Sequence, residues 1–426
     1  MLCPILRRLL FSSLRLRAEA AGYCTVPVNP NMMTIKEVRD SLINMVGVRK
    51  KWIIEETKVT GVMQKVVSDQ SLLPKRKPSD SYVQAVIPLS DPDNNVRDKY
   101  ITFAKKIRFG RLLEDFDSLA GLICYNHNLN PALGPDQKSP YAFVTRLVDR
   151  IEQSPTKLLS PYKDIILDGQ VTWVGRSSME CTMNIKQEID GELVKVITAR
   201  YLFVAVLSET STPGVVNPLD PQTPEEIALF KLGEENKIKR QRETTQSLLK
   251  TPPTEDERLI IHDLFLSTVD LNSGTFKVRV KPENTVWMED AIKKTLLICH
   301  PEQRNLYNKI FGGFLMRMAY ELAWANASIY ARKRPRLCKV VDDILFNKPV
   351  EIGSLLLLSS QVVYTKGSDL QIHVHAEVDN LERGINENTN DFHFTFDMGV
   401  PNLPRVIPKT YSESMLYLVG KRHYES

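Results

Sequence analysis

Residues 310–331 read IFGGFLMRMAYELAWANASIYA and form the most informative segment of the chain. From Gly312 onward the segment has no proline and is apolar on nearly every face, which is typical of a helix buried on all sides. Further along, apolar and polar residues alternate in QIHVHAEV (371–378) and in FHFTFDM (392–398). Strands with one apolar face suit an antiparallel sheet that is packed on one side. The sequence therefore predicts a buried helix inside a curved antiparallel sheet.

A weak internal repeat predicts that this unit occurs twice. The segment 107–120 (IRFGRLLEDFDSLA) aligns without gaps with 310–323, at an offset of 203 residues. A second pair, 164–175 with 342–353, shares Asp, Ile, Leu and Gly at an offset of 178 residues. We therefore predict an α+β protein with two tandem units, each made of one buried helix and one curved antiparallel sheet.

The boundaries of the units follow from the strand candidates and from a proline-rich connection. In the first unit the strand candidates are 171–185 and 194–207, and four prolines follow within 210–224, which favours an extended chain. Thr223 before Pro224 then opens a charged, helix-compatible segment, so we expect a linker helix on the surface. The expected organisation is a flexible N-terminus 1–35, a first unit 80–209, a linker 210–256, a second unit 285–400 and a C-terminal tail 401–426.

The N-terminal segment has the composition of a mitochondrial transit peptide. Residues 1–20 carry four arginines and no acid before Glu19, with leucines between them that could line one face of a helix. Basic, acid-poor, amphipathic segments of this kind direct import into mitochondria. We therefore expect a mitochondrial location in the matrix, with association with the inner membrane as an open alternative.

Composition excludes several other classes of protein. The 426 residues are 42% hydrophobic and 25% charged, which is ordinary for a folded chain. The 56 basic residues nearly balance the 51 acidic ones, and no Lys/Arg tract occurs, so nucleic acid is not the expected partner. No apolar run reaches 18 residues, which argues against a membrane span. The six cysteines form no CxxC pair, so neither a zinc ribbon nor a disulfide scaffold is supported.

Several motifs resemble those of a known family. IFGG at the start of a buried helix, followed by VDDILFNKPVEIGS (341–354), is similar to acyl-CoA thioesterases of the hotdog fold. Two such units, the first with RFGRLLEDFDSLAG (108–121) and VTWVGRSSME (171–180), resemble the double-hotdog acyl-CoA thioesterases. The resemblance implies two tandem hotdog domains that hydrolyse an acyl-CoA substrate to a free acid and CoA, without a metal or organic cofactor. A homo-oligomer is also expected, because hotdog units expose long sheet edges.

The two glycines at the start of the second buried helix are candidates for binding the reacting carbonyl. Gly312 and Gly313 have no side chains, so a substrate can approach the backbone closely. N–H groups at a helix N-terminus have no intrahelical partner and carry partial positive charge. We expect them to stabilise the oxyanion, an effect of about 2.7–4 kcal/mol for each donor. The alternative is that the glycines only allow the helix and the sheet to pack tightly.

Asp117 is the first candidate for the base or nucleophile. It follows Gly110 by seven residues, about two helical turns, where the resemblance implies Asp or Glu. Tyr320 occupies the equivalent position of the second unit, so the adjacent Glu321 is a weaker candidate. The two sites between the units are therefore not expected to be equivalent. The alternative places Asp117 on the exposed side of its helix beside Glu114.

A polar residue before the glycines is expected to complete the site, because the resemblance implies an Asn or Asp there that faces the acid of the other unit. Counting back from the glycines points to Lys309, whereas Asn308 has the required amide, and we prefer Asn308. The hypothesis is one competent site, made of Asp117 from the first unit and of Asn308 with Gly312 and Gly313 from the second.

A basic loop follows the second buried helix. CoA carries a 3′-phosphate and a pyrophosphate, so cations are expected near the mouth of its site. The resemblance implies that this loop approaches CoA, and the alternative is a solvated basic loop. The candidate residues for binding the CoA phosphates are Arg332, Lys333, Arg334 and Arg336.

Other functions are less well supported by the sequence. His373, His375 and His393 lie on polar strand faces, but no carboxylate or cysteine spacing accompanies them, so we expect no metal site. No GxSxG motif occurs, which leaves a Ser-His-Asp hydrolase without a visible nucleophile. An enoyl-CoA hydratase would need an Asp–His pair at the start of a buried helix, and neither repeat has one. The main alternative is a non-catalytic acyl-CoA-binding or regulatory protein that has kept the fold.

Overall fold

The computed structural model of the protein describes residues 32–46, 62–63, 67–92, 95–129, 137–138, 140–207, 212–273, 275–276, 279–305, 307–381 and 384–426. The predicted transit peptide therefore lies almost entirely outside the described residues. None of the described helices is long and apolar enough to cross a membrane.

Helices and strands alternate along the described chain. The helices are α1 (Ile35–Val46), α2 (Arg97–Tyr100), α3 (Phe109–His127), α4 (Pro224–Gln246), α5 (Glu255–Leu266), α6 (Gly312–Ala331) and α7 (Tyr411–Glu425). The strands are β1 (Met33–Thr34), β2 (Val62–Met63), β3 (Val83–Ile87), β4 (Gln137–Lys138), β5 (Tyr141–Gln153), β6 (Ile165–Val174), β7 (Ser178–Ile189), β8 (Glu192–Leu207), β9 (Thr285–Trp287), β10 (Ile292–Ile298), β11 (Leu337–Phe346), β12 (Leu355–Lys366), β13 (Asp369–Asn380), β14 (Ile385–Asp397) and β15 (Arg405–Ile407).

Eleven of the described strands form one sheet, in the order β1-β3-β6-β7-β8-β5-β11-β14-β13-β12-β10. Neighbouring strands are antiparallel, apart from the short parallel pair β1 and β3. The order reads as two equivalent halves that meet where β5 pairs with β11, and each half curves round its own helix. The expected α+β fold of two tandem hotdog domains is confirmed.

Both repeat segments form helices, but α6 is less buried than predicted. Helix α3 begins within 107–120 and runs to His127, and α6 covers 312–331. Only eight residues of α6 are buried and Ile329 is exposed, so the prediction of a helix buried on all sides is wrong for α6. Buried side chains occupy every face of α3, including the acidic one, where Asp117 is only 3% exposed. The alternative that Asp117 lies on a solvated helix face is therefore wrong.

Only the first of the two predicted repeat alignments agrees with the sheet order. The mirrored order makes β5 equivalent to β11 and β6 equivalent to β12. The segment 164–175 lies on β6, whereas 342–346 lies on β11, so the alignment at an offset of 178 residues is wrong. Strands are enriched in the same few residue types, which makes such short matches uninformative.

A different alignment relates β5 to β11. Val148 and Asp149 match Val341 and Asp342 at an offset of 193 residues. A register shift falls between Thr145 and Leu147 on β5, and another falls between Cys338 and Val340 on β11, at the same offset. Cys338 in the second unit is therefore the counterpart of Thr145 in the first.

Three predicted boundaries need correction. The strand candidate 171–185 is divided by a turn at residues 175–177, where the Gly175 N–H donates to the Ser178 carbonyl at 2.8 Å. The linker contains α5 beyond its predicted end at residue 256. The predicted tail 401–426 contains β15 and α7, and α7 packs against β12 and β13. Its Thr410 cap accepts a hydrogen bond from the Glu413 N–H, which fixes where the helix begins.

The linker helix α4 packs on the outer face of β6. Thr223 caps its first turn as predicted, by accepting a hydrogen bond from the Glu226 N–H. The Trp173 ring lies directly against Gly233, and the Trp173 Nε1 donates to the Glu234 Oε1 at 2.7 Å. A Cβ at Gly233 would lie 2.3 Å from the Trp173 Cβ. Only glycine allows this contact, so Gly233 sets how closely the linker helix approaches the sheet.

Replacing Gly233 by alanine should therefore destabilise the protein. We expect the Gly233→Ala variant to lose about 1–3 kcal/mol in the free energy of unfolding, as is usual for overpacking. Gly121→Ala is the matched control, because its Cβ would meet only Leu42 side-chain atoms at 3.7 Å. Alanine in that helix interior should raise the free energy of unfolding by about 0.4–1 kcal/mol. Denaturant titrations measure both, and equal effects of the two variants would contradict this account.

Candidate active site

The site is built where the two core helices cross. Near their N-termini α3 and α6 run antiparallel, so that Gly313 faces Glu114 and Gly110 faces Arg317. The Arg317 Nε donates to the Glu114 Oε1 at 2.7 Å, and both side chains are largely buried. Glu114 and Arg317 are themselves equivalent positions of the repeat, so this ion pair lies on the pseudo-twofold axis between the units.

The Asp117 carboxylate lies at the N-terminus of the helix from the other unit. The Gly313 N–H donates to Asp117 Oδ2 at 2.8 Å, and the Thr145 hydroxyl donates to Asp117 Oδ1 at 2.7 Å. A Cβ at Gly312 would lie 3.2 Å from Asp117 Oδ2 and 3.2 Å from the Phe346 ring. The structure thus brings Asp117, Gly312 and Gly313 together at one place between the units.

Burial dominates the electrostatics of Asp117. Removal from water raises the pKa of the Asp117 carboxyl to about 6, although the hydrogen bonds from Thr145 and Gly313 lower it, and nearby Glu114 raises it. A carboxyl group with a pKa of about 6 is ionised at neutral pH and still basic enough to accept a proton from water. The geometry and the pKa together suit a general base.

Thr145 is a residue that the sequence analysis missed. It lies on β5 two residues after the buried Phe143, on the face of the strand that points to α3. The register with β8 shifts immediately after it. Alternation along β5 is consistent with this inner face, but nothing in the sequence indicates the contact with Asp117.

On the other side of the pseudo-twofold axis, the described residue that is equivalent to Asp117 is not a carboxylate. Tyr320 stands where Asp117 stands in the first site, Cys338 replaces Thr145, and Phe109 replaces Gly312. The Phe109 and Tyr320 rings pack together with their centroids 5.2 Å apart, and burial raises the pKa of the Tyr320 phenol, which therefore stays protonated. Aromatic rings fill this second place, as the inequality of the repeats predicted.

Asn308 lies in the turn that precedes the glycines and has a left-handed backbone with φ of 56°. Its counterpart Lys105 has a φ of 55°, so the conformation belongs to both repeats. Asn305 stabilises the turn, because its Oδ1 accepts hydrogen bonds from the N–H groups of Tyr307 and Lys309 at 2.8 and 3.1 Å. The Lys309 Nζ binds both carboxylate oxygens of Glu351 at 2.6 Å. A left-handed φ gives Asn308 a conformational role, since Asn tolerates this region well.

Glu321 and the basic loop lie elsewhere. The Glu321 carboxylate accepts hydrogen bonds from Arg108 at 2.6 and 3.0 Å, next to the Phe109 and Tyr320 rings in the sequence. The loop begins at the opposite end of α6, about 30 Å from Gly312 at 1.5 Å per residue. Within it, Arg336 pairs with Asp397, Arg334 stacks over the Phe103 ring at 4.4 Å, and Lys333 donates to the Gly399 carbonyl. Arg332 ends the helix with a φ of 49°. The structure does not bring these residues to Asp117.

Two groups outside the site have side chains that could bind a metal ion. One comprises His373, His375 and Asp391, and the other comprises Asp342, Asp343 and His423. The premise that no carboxylate accompanies the strand histidines is therefore wrong. Asp391 is on the neighbouring strand, and pairing across a sheet is not visible as a spacing within one segment.

Known proteins with similar sequences carry one activity. The chain is 46% identical to human acyl-coenzyme A thioesterase 9 over 431 residues, which cover 97% of this chain and 96% of that protein. It is 47% identical to mouse acyl-coenzyme A thioesterase 10, with coverage of 92% and 89%. Among solved structures, an acyl-ACP thioesterase from Bacteroides thetaiotaomicron is 13% identical with a TM-score of 0.43, over 75% of this chain and 99% of that one. No protein-family model matches the chain.

The fold and the site define a hotdog enzyme of the thioester hydrolase class. At this identity and coverage, the chain belongs to the acyl-coenzyme A thioesterase 9 family, whose members hydrolyse acyl-CoA.

A substitution can separate the backbone conformation of Asn308 from the chemistry of its side-chain amide. Glycine adopts φ of 56° without strain, so Asn308→Gly should keep kcat within about twofold if the backbone conformation is what matters. The hypothesis that the Asn308 amide contacts the substrate predicts a tenfold or greater loss of kcat instead. Release of free thiol from acyl-CoA measures either outcome, and Lys105→Gly in the other repeat is the matched control.

Proposed function

We propose that the chain hydrolyses acyl-CoA at one site, with Asp117 as the general base. The observation that carries this proposal is the buried Asp117 carboxylate, 2.8 Å from the Gly313 N–H at the N-terminus of α6. Asp117 accepts a proton from a water molecule while the water oxygen bonds to the thioester carbonyl carbon. The carbon–sulfur bond then breaks, the CoA sulfur takes up the proton, and the free acid and CoA leave.

The oxyanion is proposed to bind at the Gly312 N–H. The Gly313 N–H already donates to Asp117, whereas Gly312 opens the helix and its N–H has no acceptor within the helix. The helix N-terminus also carries partial positive charge, which stabilises a negative oxygen. One such donor is worth about 2.7–4 kcal/mol in other hydrolases. Thr145 acts as a positioning residue that holds the Asp117 carboxylate.

The basic loop after α6 is proposed to bind the phosphates of CoA, which requires an extended CoA because the loop begins about 30 Å from Gly312. Its four cations, Arg332, Lys333, Arg334 and Arg336, leave more positive charge than Asp397 neutralises. The double variant Lys333→Glu/Arg334→Glu should raise KM for acyl-CoA at least fivefold with kcat unchanged. An unchanged KM in a steady-state assay would show that these side chains are only solvated.

Two further properties rest on the sequence and on the sheet. The relatives are named as mitochondrial, and the N-terminal segment is basic and amphipathic, so we propose import into the matrix. A fluorescent fusion of the full chain that stays outside the mitochondrial matrix would contradict this.

We also propose a homo-oligomer, because the edge strand β10 exposes Leu296 and Ile298. Light scattering at the mass of one chain would contradict that.

Replacing Asp117 tests the proposed function directly. Asp117→Asn keeps the size of the side chain and removes the base, so kcat should fall by about 10²–10⁴-fold. Tyr320→Phe is the matched control at the equivalent position of the other repeat, and its kcat should stay within about twofold. Thiol release from a panel of acyl-CoAs measures both. Full activity of Asp117→Asn would exclude Asp117 as base, and CoA binding without turnover in the wild type would favour the non-catalytic alternative.

The pH dependence of the wild type gives an independent test. Because the base must be ionised, kcat/KM should be constant above a pH of about 6 and fall tenfold per pH unit below it. The Thr145 hydroxyl lowers the pKa of Asp117, so Thr145→Val should move this limb to higher pH. A limb at the pH of an ordinary exposed aspartate would contradict the assignment.

A further inference from the structure

Four of the seven histidines lie on the outer face of the second half of the large sheet, the half that contains β13 and β14. His373 and His375 alternate with buried apolar residues on β13 and therefore point to the same side, away from α6. His393 lies directly across from His373 on β14, and Asp391 lies directly across from His375. The fourth, His423, reaches this face from α7. The face is remote from Asp117, and the proposed reaction does not use it.

Asp391 is the centre of the group. Its Oδ1 lies 2.8 Å from the Nε2 of His373 and 2.7 Å from the Nδ1 of His375. All three ligand atoms lie within 4.8 Å of one another. The side chains are partly exposed, Asp391 most of all at 40%, so an ion can reach them from solvent.

The surroundings of His375 do not suit a neutral imidazole that only forms hydrogen bonds. Its Nδ1 faces Asp391, while its Nε2 faces the Asn388 Oδ1 at 3.2 Å and the Glu377 Oε1 at 3.5 Å. Both ring nitrogens thus face oxygen acceptors, an arrangement that a neutral ring with one N–H does not satisfy and that a protonated ring or a metal-bound ring does. A metal-binding histidine satisfies this arrangement, because one nitrogen binds the ion and the other donates its N–H to a nearby oxygen.

The environment of His393 is a second, independent observation beside His373. It is buried, and its Nδ1 has no hydrogen-bond partner among the described residues. Its ring stacks on His373 with a centroid distance of 4.9 Å and on His423 with a centroid distance of 3.6 Å. The stacked rings and the Asp391 carboxylate thus present nitrogen and oxygen ligand atoms close together on one face of the sheet.

We propose that His373, His375 and Asp391 bind a divalent transition metal ion, of which Zn²⁺ is the best match. Imidazole nitrogen suits zinc, whereas Mg²⁺ and Ca²⁺ prefer oxygen ligands alone. Zinc binds nitrogen and carboxylate oxygen at about 2.0–2.2 Å, so only small side-chain movements are needed to bring the three atoms onto one ion. Water completes the coordination, and the bound ion links β13 to β14.

Metal binding by the chelator-treated full chain tests this proposal. Equilibrium dialysis against Zn²⁺ should give one ion per chain, and Co²⁺ should give the visible absorption of a four-coordinate site. His375→Ala and Asp391→Asn should each lose at least tenfold in Zn²⁺ affinity. His262→Ala is the matched control, because this exposed histidine lies on α5, and it should bind as the wild type does. His375→Asn replaces His375→Ala if that variant does not fold.

Two outcomes would overturn the assignment. One is the absence of stoichiometric Zn²⁺ binding at micromolar concentrations. The other is binding that survives in His375→Ala and is lost in His423→Ala, which would place the ion at Asp342 and Asp343. Thioester hydrolysis should be unchanged in the histidine variants, and circular dichroism confirms that each one is folded. Loss of hydrolysis in Asp117→Asn tests the reaction separately from the metal.

Discussion

The close crossing of α3 and α6 is the contact on which the active site depends. A Cβ at Gly313 would lie 2.8 Å from the Glu114 Cα, so glycine is required for the N-terminus of one helix to approach the middle of the other. That approach lets the Gly313 N–H reach the Asp117 carboxylate. The Glu114–Arg317 ion pair holds the crossing at the axis. Arg111 also pairs with Glu114, and the Arg317 Nη1 lies 3.8 Å from the Glu321 Oε2, so the ion pair belongs to a network of charges between the units.

The internal repeat builds the same helix crossing twice, but a carboxylate stands between the helices on one side of the axis and aromatic rings stand on the other. The same crossing that presents Asp117 to Gly313 presents Tyr320 to Phe109 on the opposite side of the axis. A carboxylate between the helices must be satisfied by hydrogen bonds in a site with little water, whereas two aromatic rings fill the same volume by packing alone. The second place thus packs the crossing with rings, while the first holds a buried carboxylate whose pKa is raised.

Periodicity predicted the elements more reliably than their relation to one another. Absence of proline and hydrophobicity placed α6, the internal repeat placed α3, and alternation placed β13 and β14. The match of 164–175 with 342–353 failed because strands of one fold share a composition without sharing a position. Gly175 ended a strand that composition alone had continued, since a turn depends on a few backbone hydrogen bonds.

The sequence by itself determined the two-unit α+β fold, the inequality of the repeats and the choice of Asp117, Gly312 and Gly313 as candidates, because these depend on residue types at fixed spacings along the chain. Only the tertiary structure decided that these three residues meet, that Thr145 holds Asp117 and that Asp391 joins His373 and His375. Those contacts bring together residues from different elements, and they depend on helix crossing and on strand register. Neither is encoded in the spacing of any single segment.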